Sequence, residues 1–481
     1  MRYLLSVLAV TACLLTFTAD KSPAFDDPGL NTPDSWSQHV SPGSIKESYN
    51  GIGMGKTSLY MTLTSRYRLR SSNYADDQDF YQYLRAHTDA TELGNGTMRV
   101  SAFARFADDI DGEQNNDWSD SQYYYHRDAL DAELESNDWA PRLYHGFVTL
   151  DNVVKNTVIT AGRFYLDHIN TFQLDGADAS VTVMEKVEVY AFGGKPVSYY
   201  YDIEDDRVYG GGVKVTPLDG TTVAVEYANL DVSDIEDDYA RARLTQLIPN
   251  GNISVEYEAL DESKTLSADA TYEIAATKTI VTVSYKGLLE EVEEGETDSY
   301  VVNPLTNALM PEEEYSLYKL SVYQGISNFA ALGLGTDQKS VSGDEGFTNR
   351  SYSRFYGNFD IFGIPTENTY ISFKMDLWNV DENDMADENE KIQYGIEISQ
   401  RINDSMDVWL GSSYNKYEYD YVNDTRKDSV RSYYIGGQYS PTDYLSFLAD
   451  VNIEDTEFFD DIEDDDLDRN LTAELWANII F

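Results

Sequence analysis

From residue 57 to its end this chain is written with a period of two. In 266–274, Leu266, Ala268, Ala270, Tyr272 and Ile274 fall on one side, and Ser267, Asp269, Thr271 and Glu273 on the other. Successive side chains of an extended strand point to opposite faces, so such a segment shows an apolar surface one way and water-seeking groups the other. Ile253, Val255 and Tyr257 split in the same way from Ser254, Glu256 and Glu258. So do Ile392, Tyr394, Ile396 and Ile398 from Gln393, Gly395 and Glu397, and Leu445, Phe447, Ala449 and Val451 from Ser446 and Asp450. Alternating segments of about ten residues separated by turns predict a transmembrane antiparallel β-barrel, because a strand in such a wall meets lipid only at every second residue. A soluble sandwich also alternates, but it seldom keeps this up over a whole chain of this length.

Composition agrees. The 481 residues include 38 Tyr, 19 Phe and 6 Trp, yet mean hydropathy is only -0.47. No long apolar run follows the N-terminus, which excludes a helical membrane protein, whose spans need roughly 20 apolar residues each. Short turns are expected at Pro217-Leu218-Asp219-Gly220, Ala275-Ala276-Thr277-Lys278, Gly325-Ile326-Ser327-Asn328, Asn403-Asp404-Ser405 and Ser440-Pro441-Thr442-Asp443. They alternate with long acidic connections at 108–140, 290–313, 338–348, 380–390 and 456–467. Short periplasmic turns and long outer loops are the usual asymmetry of such barrels. With Gly193-Gly194-Lys195-Pro196 as a further short turn, the expected all-β fold has about 22 strands, or about 20 if the 168–206 stretch loses a pair.

Met1–Arg2 followed by an apolar Tyr3 to Phe17 has the form of a secretion signal. Small residues at Ser22 and Ala24 place cleavage after Ala24, ahead of the alternative at Ala19. Val10-Thr11-Ala12-Cys13 has a lipobox outline, but the apolar run continues past Cys13, which reads better as an ordinary leader cysteine. The expected organisation is a signal peptide at 1–24, a periplasmic segment at 25–56 and the barrel at 57–481. The 25–56 segment is too short for a globular plug.

Cys13 is the only cysteine, so the processed chain has no disulfide, no thiolate metal site and no CxxCH haem attachment. The histidines His39, His87, His126, His145 and His168 show no metal-binding spacing. His126 and His145 flank an acidic stretch, as in barrel hydrolases, but nothing fixes a catalytic geometry, and the chain reads as a non-enzyme without cofactor. The acidic run Asp460, Asp461, Glu463, Asp464, Asp465 and Asp466 lacks EF-hand spacing and reads as solvated. Asp+Glu 85 against Lys+Arg 35 gives a formal charge of -50. That excludes nucleic acid as a partner, argues against a basic surface docked on anionic lipid heads, and suits attraction of cations.

On the polar parity of the early strands lie Arg66, Arg68, Arg85, Arg99 and Arg105, and later Arg241 and Arg243. The acids Glu226, Glu256, Glu258, Asp269, Glu273, Asp376, Glu397, Asp450 and Glu474 share that parity further along. Basic and acidic arcs facing each other across a lumen would set a transverse field, and rings of charge do govern selectivity.

Two resemblances follow. Ala161-Gly162-Arg163, Leu174-Asp175-Gly176-Ala177 and Gly193-Gly194-Lys195-Pro196 resemble the "GR…DG…G-x-P" stretch of large bacterial porins similar to the alginate-export type. The resemblance implies a passive Gram-negative outer-membrane channel with an inward-folded loop near 167–182, in which Asp175 and Asp178 narrow the lumen and Arg163 lines it; the glycines are equally read as tight backbone turns. The final strand, with Leu475, Ile479 and the terminal Phe481 on one face, resembles the signal read by the barrel-assembly machinery. A cation-preferring porin for small hydrophilic solutes, lodged among outer-membrane lipids, is the leading expectation. The alternative is a structural sheath around a partner multihaem c-type cytochrome, since size, tyrosine content and acidity are also similar to such barrels.

Overall fold

The computed structural model describes residues 52–54, 57–72, 76–110, 140–166, 172–197, 206–232, 235–260, 263–290, 314–342, 350–382, 388–421, 424–459 and 468–481. Among them every regular element is a strand: β1 (Ile52–Met54), β2 (Thr57–Ser71), β3 (Asp76–Thr88), β4 (Thr91–Leu93), β5 (Gly96–Asp109), β6 (Ala140–Asp151), β7 (Thr157–Leu166), β8 (Phe172–Met184), β9 (Val187–Pro196), β10 (Arg207–Val215), β11 (Thr221–Val232) and β12 (Ile235–Ile248). There follow β13 (Gly251–Leu260), β14 (Ser263–Ile274), β15 (Thr279–Glu290), β16 (Tyr315–Gly325), β17 (Ala330–Val341), β18 (Tyr352–Phe362), β19 (Thr369–Val380), β20 (Asn389–Asn403), β21 (Met406–Tyr421), β22 (Asp424–Thr442), β23 (Leu445–Phe459) and β24 (Asp468–Ile480). Short β1 and β4 pair only onto β2 and β5. The others form a closed antiparallel barrel of 22 strands, sealed where β24 pairs with β2, with Leu63 opposite Ile479 and Arg66 opposite Trp476. Closure leaves no sheet edge with unpaired backbone.

Local chemistry explains the tight end. The connections 152–156, 185–186, 216–220, 249–250, 275–278, 326–329, 363–368, 404–405 and 443–444 all lie on the side of the barrel where β2 begins and β24 ends. Several are closed by left-handed residues suited to such turns, including Asn152 (φ 56), Asn250 (φ 63) and Gly220 (φ 79). The longest connections, 110–139 and 291–314, join strands at the opposite end.

Three expectations are corrected. Gly193-Gly194-Lys195-Pro196 is not a turn but the end of β9, where Gly194 faces Gly176 and Gly193 faces Tyr209; the turn falls at 185–186, which keeps the strand number. Residues 172–182 are not an inward loop but belong to β8, bonded to β7 and β9 on its two sides. The turn expected at 440–443 falls at 443–444, because β22 runs to Thr442. The leader with Cys13, most of the 25–56 segment, His39, His126, His168 and the acidic run at 460–466 lie outside the described residues.

Register separates the two faces. Val225, Ala242, Tyr257 and Leu266 stand opposite one another on successive strands, and Val225, Tyr227, Leu244 and Tyr257 are exposed. One position along, Glu226, Arg241 and Glu258 make the corresponding row on the other face. Large exposed apolar residues recur on the first face around the wall, among them Leu320, Leu334, Phe373, Leu410, Ile435 and Leu475. That face is the exterior, and the charged face is the lumen wall.

Candidate functional site

The lumen wall is built from alternate residues of each strand, so its chemistry follows from register. On β2, β3 and β5 the arginines fall together: Arg68 stands opposite Asp79, Thr62 opposite Arg85, and Tyr83 opposite both Thr64 and Arg105. Arg99 continues the same face, opposite Thr149. The expected residues Arg66, Arg68, Arg85, Arg99 and Arg105 are thus gathered on one stretch of wall, and period two extends the group to Arg70 and Arg142. Aromatic rings interleave with them. Tyr83 stacks on Phe103 at 6.2 Å between centroids and Phe103 on Tyr144 at 4.7 Å. The guanidiniums of Arg66, Arg68 and Arg105 lie 5.3, 5.5 and 5.8 Å from the centre of the Tyr81 ring, within cation–π range. His145 sits in this wall and shares a 2.9 Å hydrogen bond with Ser101.

The carboxylates that pair with Arg66, Arg68 and Arg70 come from neighbouring strands, not from the opposite wall. Arg66 pairs with Glu474 across the closing seam, Arg68 with Asp79 (Nε to Oδ2 2.9 Å) and Arg70 with Asp77. The second group repeats the arrangement. Arg241 pairs with Glu226, with Glu256 at 3.9 Å and Glu258 at 4.0 Å, and Arg243 pairs with Glu256. The wall facing the early arginines carries Asp269 and Glu273 on β14 but also Lys286 and Lys319 on β15 and β16. At Arg66 to Arg70 and at Arg241 and Arg243 the charges thus form mixed-sign clusters within the arginine and carboxylate stretches. Asp178 faces the lumen opposite Phe192, and Glu397 opposite Ser372 and Gly411.

Arg163 and Asp175 stand elsewhere. Gly162, Gly176 and Gly194 make a lumen-facing row on β7, β8 and β9, so Arg163, Asp175 and Lys195, one residue along, make an outward-facing one. Arg163 donates to Asp175 at 2.7 and 2.6 Å and to the carbonyl of Leu143 at 2.9 Å. The expectation that Arg163 and Asp175 line the pore is corrected by this parity. The glycines of the stretch are not turns; Gly162 holds φ 128, which a side chain rarely tolerates.

The architecture is that of a membrane-spanning β-barrel. No family model matches the sequence, and no curated protein matches it. Among solved structures the chain is similar to the following. Pseudomonas aeruginosa OpdQ is 10% identical with TM-score 0.45, covering 89% of this chain and 99% of that one. Acinetobacter baumannii OccAB2 is 11% identical with TM-score 0.44, covering 89% and 100%. The outer membrane protein opdK from Pseudomonas aeruginosa is 9% identical with TM-score 0.40, covering 88% and 99%.

Sequence reasoning missed a third cluster centred on Arg354. It donates to Asp376 at 2.8 and 2.7 Å and lies 3.4 Å from Asp337. Its guanidinium is 4.6 Å from the Tyr356 and Trp378 ring centres. Arg354 has Asp337 and Trp378 as register partners, and only the pairing reveals them.

It also missed a repeated device that holds carboxylates to the wall. Tyr190 on β9, Gly212 on β10 and Glu226 on β11 stand in one row, and the Tyr190 hydroxyl donates to Glu226 over the glycine. Tyr434, Gly411 and Glu397 repeat it, with a 3.1 Å hydrogen bond. Trp409, Gly436 and Asp450 do so with the indole N–H donating at 3.0 Å. A Cβ on any of the three glycines would collide with the aromatic ring above it. The sequence signal would be an aromatic residue and a glycine of equal parity on adjacent strands, which requires the register first. Among the described residues no three His, Cys, Asp or Glu side chains gather as a metal site. The lumen wall is therefore charged and ring-lined over these clusters, and apolar where Phe164, Leu166, Leu174, Phe192, Val208 and Leu230 form a buried cluster on β7 to β11.

Proposed function

We propose that this chain is a porin of a Gram-negative outer membrane, a passive channel for small hydrophilic solutes with a preference for cations. The observation that carries the reading is the division of one closed wall into an apolar exterior and an interior that holds the arginines and carboxylates, with one buried apolar cluster on β7 to β13. Only helices and closed barrels satisfy their backbone groups inside a bilayer, and barrels of porin size can enclose water. Cation preference rests on the acidic surplus, 85 Asp+Glu over 35 Lys+Arg, because a negative vestibule concentrates cations before they enter. The arginine stretch on β2, β3 and β5 acts in the opposite sense over its own part of the wall.

Planar bilayers test both statements. The full chain should give stepwise conductance that rises with salt, and a reversal potential of cation-selective sign in a salt gradient. Folded barrel that inserts and stays silent would sink the channel. A reversal potential of anion-selective sign would sink the preference alone.

A further inference from the structure

The exterior of β20 to β24 departs from the apolar rule in one row. Register places Tyr394, Tyr414, Arg431, Asp455 and Arg469 side by side on five successive strands. All five share the parity of the exposed, outward Tyr433, Ile435 and Leu475. Arg469 donates to Asp455 at 2.7 Å, and Arg431 is the register partner of Asp455 on the neighbouring strand. The Arg431 guanidinium lies 5.6 Å from the Tyr414 ring centre, and Tyr414 stacks on Tyr394 at 5.9 Å. One step further toward the long-connection end, Lys416 follows Tyr414 on the same face.

Depth on the barrel gives the row its meaning. On the terminal side the next outward row is Ile396, Ser412, Tyr433, Ile453 and Leu471, and the one after it Ile398, Leu410, Ile435, Val451 and Ala473. Cationic side chains on a barrel's lipid face are costly at mid-depth and nearly neutral at the interface. The row therefore stands at the interface, on the side of the long connections, above a continuous apolar surface. Arg431 and Arg469 against the single carboxylate of Asp455 leave the row itself net positive, while Lys416, one row on, is paired with Glu418 at 3.1 Å. Guanidinium groups match phosphate oxygens in a bidentate manner, and the tyrosines suit the headgroup level.

We infer that this row is a docking site for the phosphate groups of a phosphorylated glycolipid in the outer leaflet, whose acyl chains lie along the apolar rows beneath. The inference rests on the outer-membrane reading above. It also reverses, at one place, what the net charge of -50 implies: the chain as a whole repels anionic headgroups, and this row attracts them locally.

The test uses the purified full chain in mild detergent, lipid A carrying both phosphates, and the same lipid with both removed. Retained lipid is counted by native mass spectrometry. Wild-type protein should retain the phosphorylated form about tenfold better, and the Arg431→Gln/Arg469→Gln variant should lose that preference. Asp455→Asn removes the row's one negative charge and frees Arg469, and should strengthen retention, which keeps the test decisive if the double variant folds poorly. Equal retention of the two lipids, or an unchanged preference in folded double variant, overturns the site. Displacement of lipid by inorganic phosphate at similar concentration would assign the row to free phosphate, and a lipid-independent dimer lost in the double variant would make it a contact between copies; each overturns the lipid site. Bilayer conductance of the same preparations separates the two proposals, since a silent barrel that still selects the phosphorylated lipid sinks only the channel.

Discussion

The hydroxyl of Tyr434 reaches the carboxylate of Glu397 at 3.1 Å across an intervening strand, and Gly411 is the residue that lets it pass. The ring lies against the wall because glycine presents no Cβ beneath it. Gly411→Ala should push the ring off the wall into the lumen. The expected results are a smaller single-channel conductance and a stability loss of about 1–3 kcal/mol, the usual cost of overpacking. Gly411→Ala combined with Tyr434→Ala should regain the conductance. A single variant with wild-type conductance and unfolding midpoint would contradict this account.

The Glu226–Arg241 pair should matter more to stability than any exposed pair. Both side chains are only 4% exposed, and Tyr190 donates to the same carboxylate. Glu226→Gln leaves Arg241 with a weakened partner set in a desolvated place, and removing one member of a buried pair costs about 3–5 kcal/mol. Two further acids at 3.9 and 4.0 Å place the expectation at the low end of that range. Urea unfolding in lipid vesicles measures it. Arg401→Gln, which breaks a mostly exposed pair with Asp407, serves as the comparison and should change the midpoint little.

Arg99→Glu with Arg105→Glu should shift the reversal potential in a salt gradient toward cations. Both lie on the lumen face within the arginine stretch. An unmoved potential would mean that this stretch does not sense the permeating ion.

Phe481 belongs to the seam as well as to the end of the chain. Its N–H donates to the Met61 carbonyl at 2.9 Å, and the Met61 N–H donates back at 3.2 Å. It also packs with the buried Met61 and Leu63. Phe481→Ser should lower the heat-modifiable, folded fraction in cells, and protein that does fold should have a weaker seam. A normal folded fraction would remove the proposed assembly role of this residue.

Barrel isolated from its native membrane should show no haem Soret band if the porin reading holds. A band that co-migrates with the barrel would instead make the lumen a socket for a partner cytochrome, and its charged clusters contacts for that partner.

The sequence by itself determined the wall. Alternation from 253–258 to 471–481 assigned inside and outside, because a strand's side chains have no other way to divide. Parity also identified Arg66, Arg85, Arg105, Arg241 and Glu397 as lumen residues. Around 161–197 it failed. There glycines read as turns proved to be strand residues, and Arg163 and Asp175 fell on the exterior. A slip of one residue exchanges the faces, and that stretch carries large apolar residues on both, since Phe164, Leu166, Leu174, Tyr190 and Phe192 form a buried cluster on the lumen side. Tertiary structure alone decided which charges meet. Arg66 finds Glu474 from the far end of the chain, Arg354 finds Asp337 and Asp376 from either side, and Arg469 finds Asp455. These partners depend on the register between strands and on closure of the barrel, and neither quantity is written in any one strand.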